Sequence, residues 1–220
     1  MIFDWQFAWD TLPKLMAALK VTVAATVLGM AVALALGLAL ALARRSRLQW
    51  LSWSTAGFIE FVRSTPLLVQ IYFLFYILPG LGIELSAFAT GVVALGLHYA
   101  AYCSEVYRAG FDGIPRGQWE AASALNLSRY HTIGRIIIPQ AIPPVVPALG
   151  NYLVAMFKDT PMLSAITVLE LLQTGKVVGA ETFRYLEPLT LVGALFLVLS
   201  LISAAGIRGL ERRLQKWVAQ

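Results

Sequence analysis

Long apolar runs separated by short charged clusters set the pattern of this chain. Residues 21–43 are 23 positions without a charge, more than the roughly 20 that a helix needs to cross a bilayer core. Further apolar segments cover 64–79, 85–106, 142–170 and 188–207. The fourth starts with Pro143, Pro144 and Pro147, which are costly in a helix middle and predict an irregular start. Lys158, Asp159 and Pro161 then interrupt it, and only ten residues separate Asp159 from Glu170, too few for a separate crossing. The pattern predicts one span broken near 158–161, followed by an outer loop over 173–187.

The segments between are amphipathic or turn-like. Residues 1–20 mix Asp4, Asp10 and Lys14 with aromatics, a composition suited to lying on a membrane surface. Ala41-Leu42-Ala43 imitates a signal-peptidase site, but the acidic leader and the length of the apolar run point to a retained span. Residues 49–63 predict a short interfacial helix with Trp50 and Trp53 at headgroup level, and Pro79-Gly80-Leu81-Gly82 predicts a turn.

Composition sharpens this picture. Hydrophobic residues make up 59% of 220 and charged ones 13%, far from the soluble balance of about 45–50% and about 25%. The net charge of +5 sits in clusters beside apolar runs and not in one patch, which argues for membrane topology over nucleic acid. Of the seventeen basic residues, twelve fall at one set of span ends: Arg44, Arg45, Arg47, Arg63, Arg108, Arg116, Arg129, Arg135, Arg208, Arg212, Arg213 and Lys216. Lys14, Lys20, Lys176 and Arg184 fall at the other, and Lys158 lies within. Because cytoplasmic flanks carry excess Lys and Arg, the expectation is an all-α integral membrane protein with five transmembrane helices, its amino terminus outside and its carboxyl terminus cytoplasmic. Cys103 is the single cysteine and cannot form an internal disulfide. Neither a Cys/His metal spacing nor a phosphate-binding loop is present in the sequence, so metal hydrolysis and direct ATP cleavage have no support.

Between the third and fourth segments, residues 117–139 form a long charged connection. Glu120, Ala121, Ala122, Ala124 and Leu125 favour a helix, Asn126 suits a left-handed helix end, and Ser128 can cap a second helix that Pro139 is expected to stop. The result would be a helix, a turn and a helix, with small alanines on one side open to a partner.

These residues carry a resemblance. Glu120-Ala121-Ala122, Leu125-Asn126, Ile138-Pro139-Gln140-Ala141, Pro147 and Asn151 resemble the EAA loop of ABC importer permeases. Arg63-Ser64-Thr65-Pro66-Leu67-Leu68-Val69-Gln70, Glu105-Val106-Tyr107-Arg108 and Lys158-Asp159-Thr160 resemble the polar amino acid branch. Asn126 stands where the family usually has glycine. Leu125-Asn126-Leu127-Ser128, Pro143-Pro144 and residues 157–161 look most like ectoine and hydroxyectoine permeases. The resemblance implies a type I importer transmembrane domain over 15–211 in a bacterial inner membrane. It implies ATPase coupling through Glu120, Ala121, Ala122, Leu125, Asn126 and Pro139. The expected partners are a cytoplasmic ATPase that binds the ATP, a second permease subunit (the same chain or a sister) and an extracytoplasmic solute-binding protein. No cofactor and no catalytic site are expected on this chain.

Ionisable groups at membrane depth are expected to face a cavity or one another, which singles out Lys158 and Asp159. They lie about 100° apart on a helix, so each needs a further partner. Pro161 would free the Phe157 carbonyl beside Thr160, offering backbone dipoles to a zwitterionic solute; the structural alternative is bracing between spans. His98, Tyr102 and Glu105 recur at helical spacing and share a face, a pathway lining or, for His98, an internally bonded histidine. Glu105 with Arg108 reads as a structural pair, and Gln70 as a pathway residue or a bridge between helices. An ion channel or exporter subunit independent of a binding protein is the alternative from another class, and an intramembrane enzyme lacks any usable carboxylate or Ser/His spacing.

Overall fold

The computed structural model describes residues 3–218, with side chains through Leu214. Among the described residues all regular structure is helical. Trp5–Arg44, Ala87–Asp112, Arg129–Ile166 and Leu186–Leu214 are long and apolar enough to cross a bilayer, and the bent pair Gln49–Ser64 and Leu67–Leu81 makes a fifth candidate.

Helix α1 (Trp5–Arg44) starts where the Asp4 side chain accepts from the Gln6 and Phe7 N–H groups. Its 40 residues span about 60 Å at the usual rise, twice a hydrocarbon core of about 30 Å. The expected surface segment over 1–20 is therefore corrected: from Trp5 on it is the same helix as the first span. Good helix formers at Leu12, Leu15, Met16, Ala17 and Ala18 carry it past Pro13. Residues 1 and 2 lie outside the described residues, as does the side chain of Lys216.

A seam of small residues joins α1 to α4 (Ala87–Asp112). Ala25, Gly29, Ala33, Gly37 and Ala41 recur every fourth residue and are buried. A Cβ added at Gly37 would lie 2.8 Å from the Cys103 Cβ and 2.9 Å from the Ala100 carbonyl oxygen. One added at Gly96 would lie 2.6 Å from the Val32 Cγ1. Lipid tails are as apolar as leucine, so close backbone approach, and not water exclusion, holds such a pair together.

Helix α2 (Gln49–Ser64) meets the next segment, α3 (Leu67–Tyr72) with its π and 3-10 continuation to Leu81, at a bend of 105°. Pro66 forces Thr65 out of the helical region, and Thr65 sits at φ −106°, ψ 138°. The turn expected over 79–82 is the 3-10 helix Leu78–Leu81, closed by Gly82 at φ 82°.

Helix α5 (Arg116–Ala124) and the short α6 (Arg129–His131) lead through a π turn, Thr132–Ile137, into α7 (Ile138–Asp159). Two expectations are corrected here. Pro139 does not stop the chain: the helical run Arg129–Ile166 continues through it, the π turn Thr132–Ile137 lying just before, and such local adjustments make a proline tolerable there. Pro143, Pro144 and Pro147 lie inside a continuous helix and not in an irregular start; within a bundle, neighbouring helices and local π adjustments make such prolines tolerable. After Asp159 the helix tightens to a 3-10 helix, Thr160–Ile166, and ends at Thr167 with φ 66°.

The expected loop over 173–187 is mostly helical: α8 runs Leu171–Thr182. Its start is fixed by Glu170, a fully buried residue whose carboxylate accepts from the Leu172 N–H at 2.9 Å and the Gln173 N–H at 2.6 Å. The Leu171 N–H donates to the Thr22 Oγ1 at 3.1 Å, tying α8 to α1. Glu170→Ala strands two part-buried donors and is expected to cost about 1–2 kcal/mol. The thermal midpoint of the purified chain reads this; an unchanged midpoint would show the cap to be dispensable. Finally α9 (Leu186–Val218) is clasped to α1 by Arg184, 3.1 Å from the Asp4 Oδ2 and 2.7 Å from the Glu187 Oε1. The Phe7 N–H, and then Arg184, hold the Asp4 carboxyl below its usual range.

Candidate functional site

Two separate groups of residues carry candidate function. The first is the projecting turn after α5. Leu127 N–H donates to the Ala122 carbonyl at 3.1 Å and Asn126 N–H to the Ser123 carbonyl at 3.0 Å, the paired bonds of a Schellman helix end. This arrangement needs a left-handed residue, and Asn126 supplies it at φ 52°. Ser128 then caps α6 by accepting from the His131 N–H at 3.3 Å.

Glu120, Ala121 and Asn126 are exposed, with Leu125 72% and Tyr130 84% exposed beside them. Ala122 is 1% exposed, so the alanines do not share one open side: Ala122 seats α5 on its own chain, and Ala121 stays outward. Pro139 is half-buried, away from the tip. The surface is an apolar ridge with one carboxylate, a shape suited to entering a groove.

The second group lies among α2, α3, α4 and α7. The Gln70 Nε2 reaches back across the bend to the Val62 carbonyl at 2.8 Å and the Thr65 Oγ1 at 2.7 Å. Its Oε1 lies 3.1 Å from the His98 Nδ1, which therefore carries the proton of that bond. Gln70 thus holds the bend and orients His98 at once.

Aromatic rings continue from there. His98 and Tyr102 have centroids 5.2 Å apart, Tyr99 and Tyr102 6.3 Å, and Tyr152 lies 6.0 Å from Tyr99 and 5.6 Å from Tyr102. The Arg63 guanidinium lies 5.3 Å from the Tyr102 centroid, within cation–π range. At the other end the Tyr99 hydroxyl donates to the Asp159 Oδ2 at 2.6 Å, a charge-assisted bond. Cation and anion thus stand at the two ends of a row running Arg63, Tyr102, Tyr99, Asp159.

The remaining sequence candidates fall elsewhere. Glu105, one turn along α4, is held by Arg108 at 2.6 Å and lies 4.0 Å from Arg44, a structural pair at the helix end. Thr160 is buried, and its hydroxyl donates to the Phe157 carbonyl at 2.7 Å. That oxygen is accordingly bonded within the chain, correcting the expectation of a freed dipole. Lys158 is exposed and has no hydrogen-bond or ion-pair partner among the described residues.

Tyr99, Tyr152 and Arg63 join the row without having been expected. A signal for Tyr152 exists: it precedes Asp159 by seven residues, two helical turns, and shares its face. Tyr99 precedes Tyr102 by three and does likewise.

Comparison with known proteins places this architecture. The family described as binding-protein-dependent transport system inner membrane component matches residues 32–216. This chain is a member of that family. It is a multi-pass inner-membrane permease subunit of an ABC amino-acid importer. The permease is 45% identical over 221 residues to the probable amino-acid ABC transporter permease protein y4tG of Sinorhizobium fredii (strain NBRC 101917 / NGR234), covering 96% of each chain. It is 35% identical to the glutamine transport system permease protein GlnP of Escherichia coli (strain K12), covering 98% of this chain and 99% of that one. A solved amino acid ABC transporter with histidines superposes with a TM-score of 0.91 at 32% identity, covering 97% of this permease and 100% of that chain. The type I importer fold expected from the sequence is therefore present.

Proposed function

We propose that this permease forms the pathway for a zwitterionic polar amino acid or a close derivative, and that the turn around Glu120 receives the force of ATP hydrolysis from a partner ATPase. The observation that carries the pathway reading is the aromatic row with Arg63 at one end and Asp159 at the other. A solute ammonium would meet Asp159 and the tyrosine faces beside it, while the guanidinium at the other end of the row would draw in the carboxylate along the path. Gln70 and His98 set the geometry beside Tyr102, while Glu105, tied to Arg108, and Thr160, bonded to the Phe157 carbonyl, would act on the pathway only through the helices they brace.

The same reading needs a second permease subunit. An unpaired, exposed Lys158 in a spanning helix is expensive against lipid, and a facing subunit or the solute path would cover it. The charge distribution supports a cytoplasmic location for the Glu120 turn and the carboxyl terminus, with the amino terminus outside. A solute-binding protein would then deliver at the opposite face.

Ectoine and hydroxyectoine are the finer substrate reading suggested by residues 125–128, 143–144 and 157–161. Of these, only Asp159 takes part in the row. The GlnP relative is described by glutamine, so the amino acid reading is the one put forward. The test is uptake of labelled glutamine by the reconstituted complex, challenged with excess polar amino acids, ectoine or hydroxyectoine. Amino acids are expected to compete, and Asp159→Asn to lower uptake about 10- to 100-fold, the weight of a charged hydrogen bond. Competition by ectoine alone, or an unaffected Asp159→Asn, would overturn this assignment.

A further inference from the structure

At the end of the bundle that carries the Glu120 turn, a cavity of about 380 Å³ opens among the end of α1, the first two turns of α2 and the end of α4. Its walls are Arg44, Arg45, Ser52, Trp53, Arg108 and Asp112, with Ala56 beside them. Arg45 pairs with Asp112, Arg108 lies 3.0 Å from Asp112 and 2.6 Å from Glu105, and Arg44 comes no closer than 4.0 Å to Glu105. Three guanidinium groups against two carboxylates leave one positive charge over. The odd one is Arg44, whose donors have no acceptor at hydrogen-bond distance among the described residues.

On its α2 side the charged cavity borders an aromatic surface. Trp53 is 78% exposed and Trp50 70%, and Phe61 is exposed on the same helix. Their positions fall within roughly 80° of one another around α2, so one side of this amphipathic helix is an aromatic stripe. Tryptophans so placed sit at the headgroup level of a membrane, and basic pockets between spanning helices at that level take anionic headgroups.

We propose that this cavity is a binding site for the phosphodiester headgroup of a singly anionic phospholipid of the phosphatidylglycerol kind. The Arg44 guanidinium would take the phosphate oxygens, Arg108 and Arg45 would keep the local field positive while staying tied to Glu105 and Asp112, and the acyl chains would lie along the Trp53 side of α2. A lipid and not a soluble phosphate is favoured because Trp53, which lines the cavity, belongs to the exposed aromatic stripe of α2. The charge left over matches one negative charge, which distinguishes this headgroup from a zwitterionic one.

The test is native mass spectrometry of the full-length chain in neutral detergent, titrated with phosphatidylglycerol, with phosphatidylcholine, or with inorganic phosphate. The expected result is one phosphatidylglycerol retained in preference to phosphatidylcholine, undisturbed by millimolar phosphate. Arg44→Gln, the arginine least engaged within the chain, is expected to weaken that retention about tenfold. Should Arg44→Gln fail to accumulate, the wild-type chain serves: raising the salt must weaken retention several-fold, because screening acts on the charge invoked. Equal retention of the two lipids, indifference to Arg44→Gln or to salt, or displacement by phosphate would overturn the proposal. Since the lipid count is read without solute or ATPase, its failure would leave the transport reading untouched.

Discussion

Glu120→Lys is expected to bring solute uptake to background while the permease still inserts and folds. Glu120 is exposed on α5 and has no hydrogen-bond or ion-pair partner among the described residues, so reversing its charge breaks no contact described there. The helix itself is secured elsewhere, by buried Ala122 and by the Schellman bonds that end at Asn126. What changes is the outward surface, where the carboxylate stands beside exposed Leu125 and Tyr130. Placing a cation into a groove shaped for an anion typically costs about 2–5 kcal/mol, roughly 30- to several-thousand-fold in docking. The measurement is uptake in proteoliposomes alongside co-purification of the ATPase, with the amount of inserted permease as control. Normal uptake would remove the coupling role assigned to this turn.

Gly37→Leu acts on the fold itself. A side chain there meets the Cys103 Cβ at 2.8 Å and the Ala100 carbonyl at 2.9 Å, both fixed to the α4 backbone and neither able to swing away. The two helices must separate, and overpacking of this kind costs about 1–3 kcal/mol or more. In a bilayer the separated faces gain lipid contacts as good as those lost, so little drives them back together. The expected result is a large drop in the amount of folded permease recovered from membranes. Gly57→Leu on α2 is the matched control, since nothing lies within 4 Å of its added Cβ. Equal recovery of the two variants would show that the seam does not set the α1–α4 distance.

The contrast between these sites shows what a sequence discloses. Asn126 and Ser128 were legible because a helix end is a local event: a residue that tolerates positive φ and a hydroxyl that caps need no distant partner. The spans were legible because charge is excluded from lipid whatever the neighbours are. The i, i+4 recurrence from Ala25 to Ala41 is also in the chain, but a reading by apolar length treats each of those residues alike. The aromatic row was half legible. His98, Tyr102 and Asp159 stand out as polar groups in apolar runs, whereas Tyr99, Tyr152 and Arg63 enter only once α2, α4 and α7 are brought together. The prolines of α7 misled for a related reason, since their cost is that of an isolated helix and not of one inside a bundle.

The bend at Thr65-Pro66 has a further consequence for how the permease is made. Its fastening, from the Gln70 amide to Val62 and Thr65, closes within eight residues, and a ring that short costs little chain entropy to shut. The elbow can form as soon as residue 70 has left the ribosome, before α4 or α7 exists to lean on. Arg63 would then be held at the elbow before the later helices arrive, and the tyrosines would assemble onto a corner already in place.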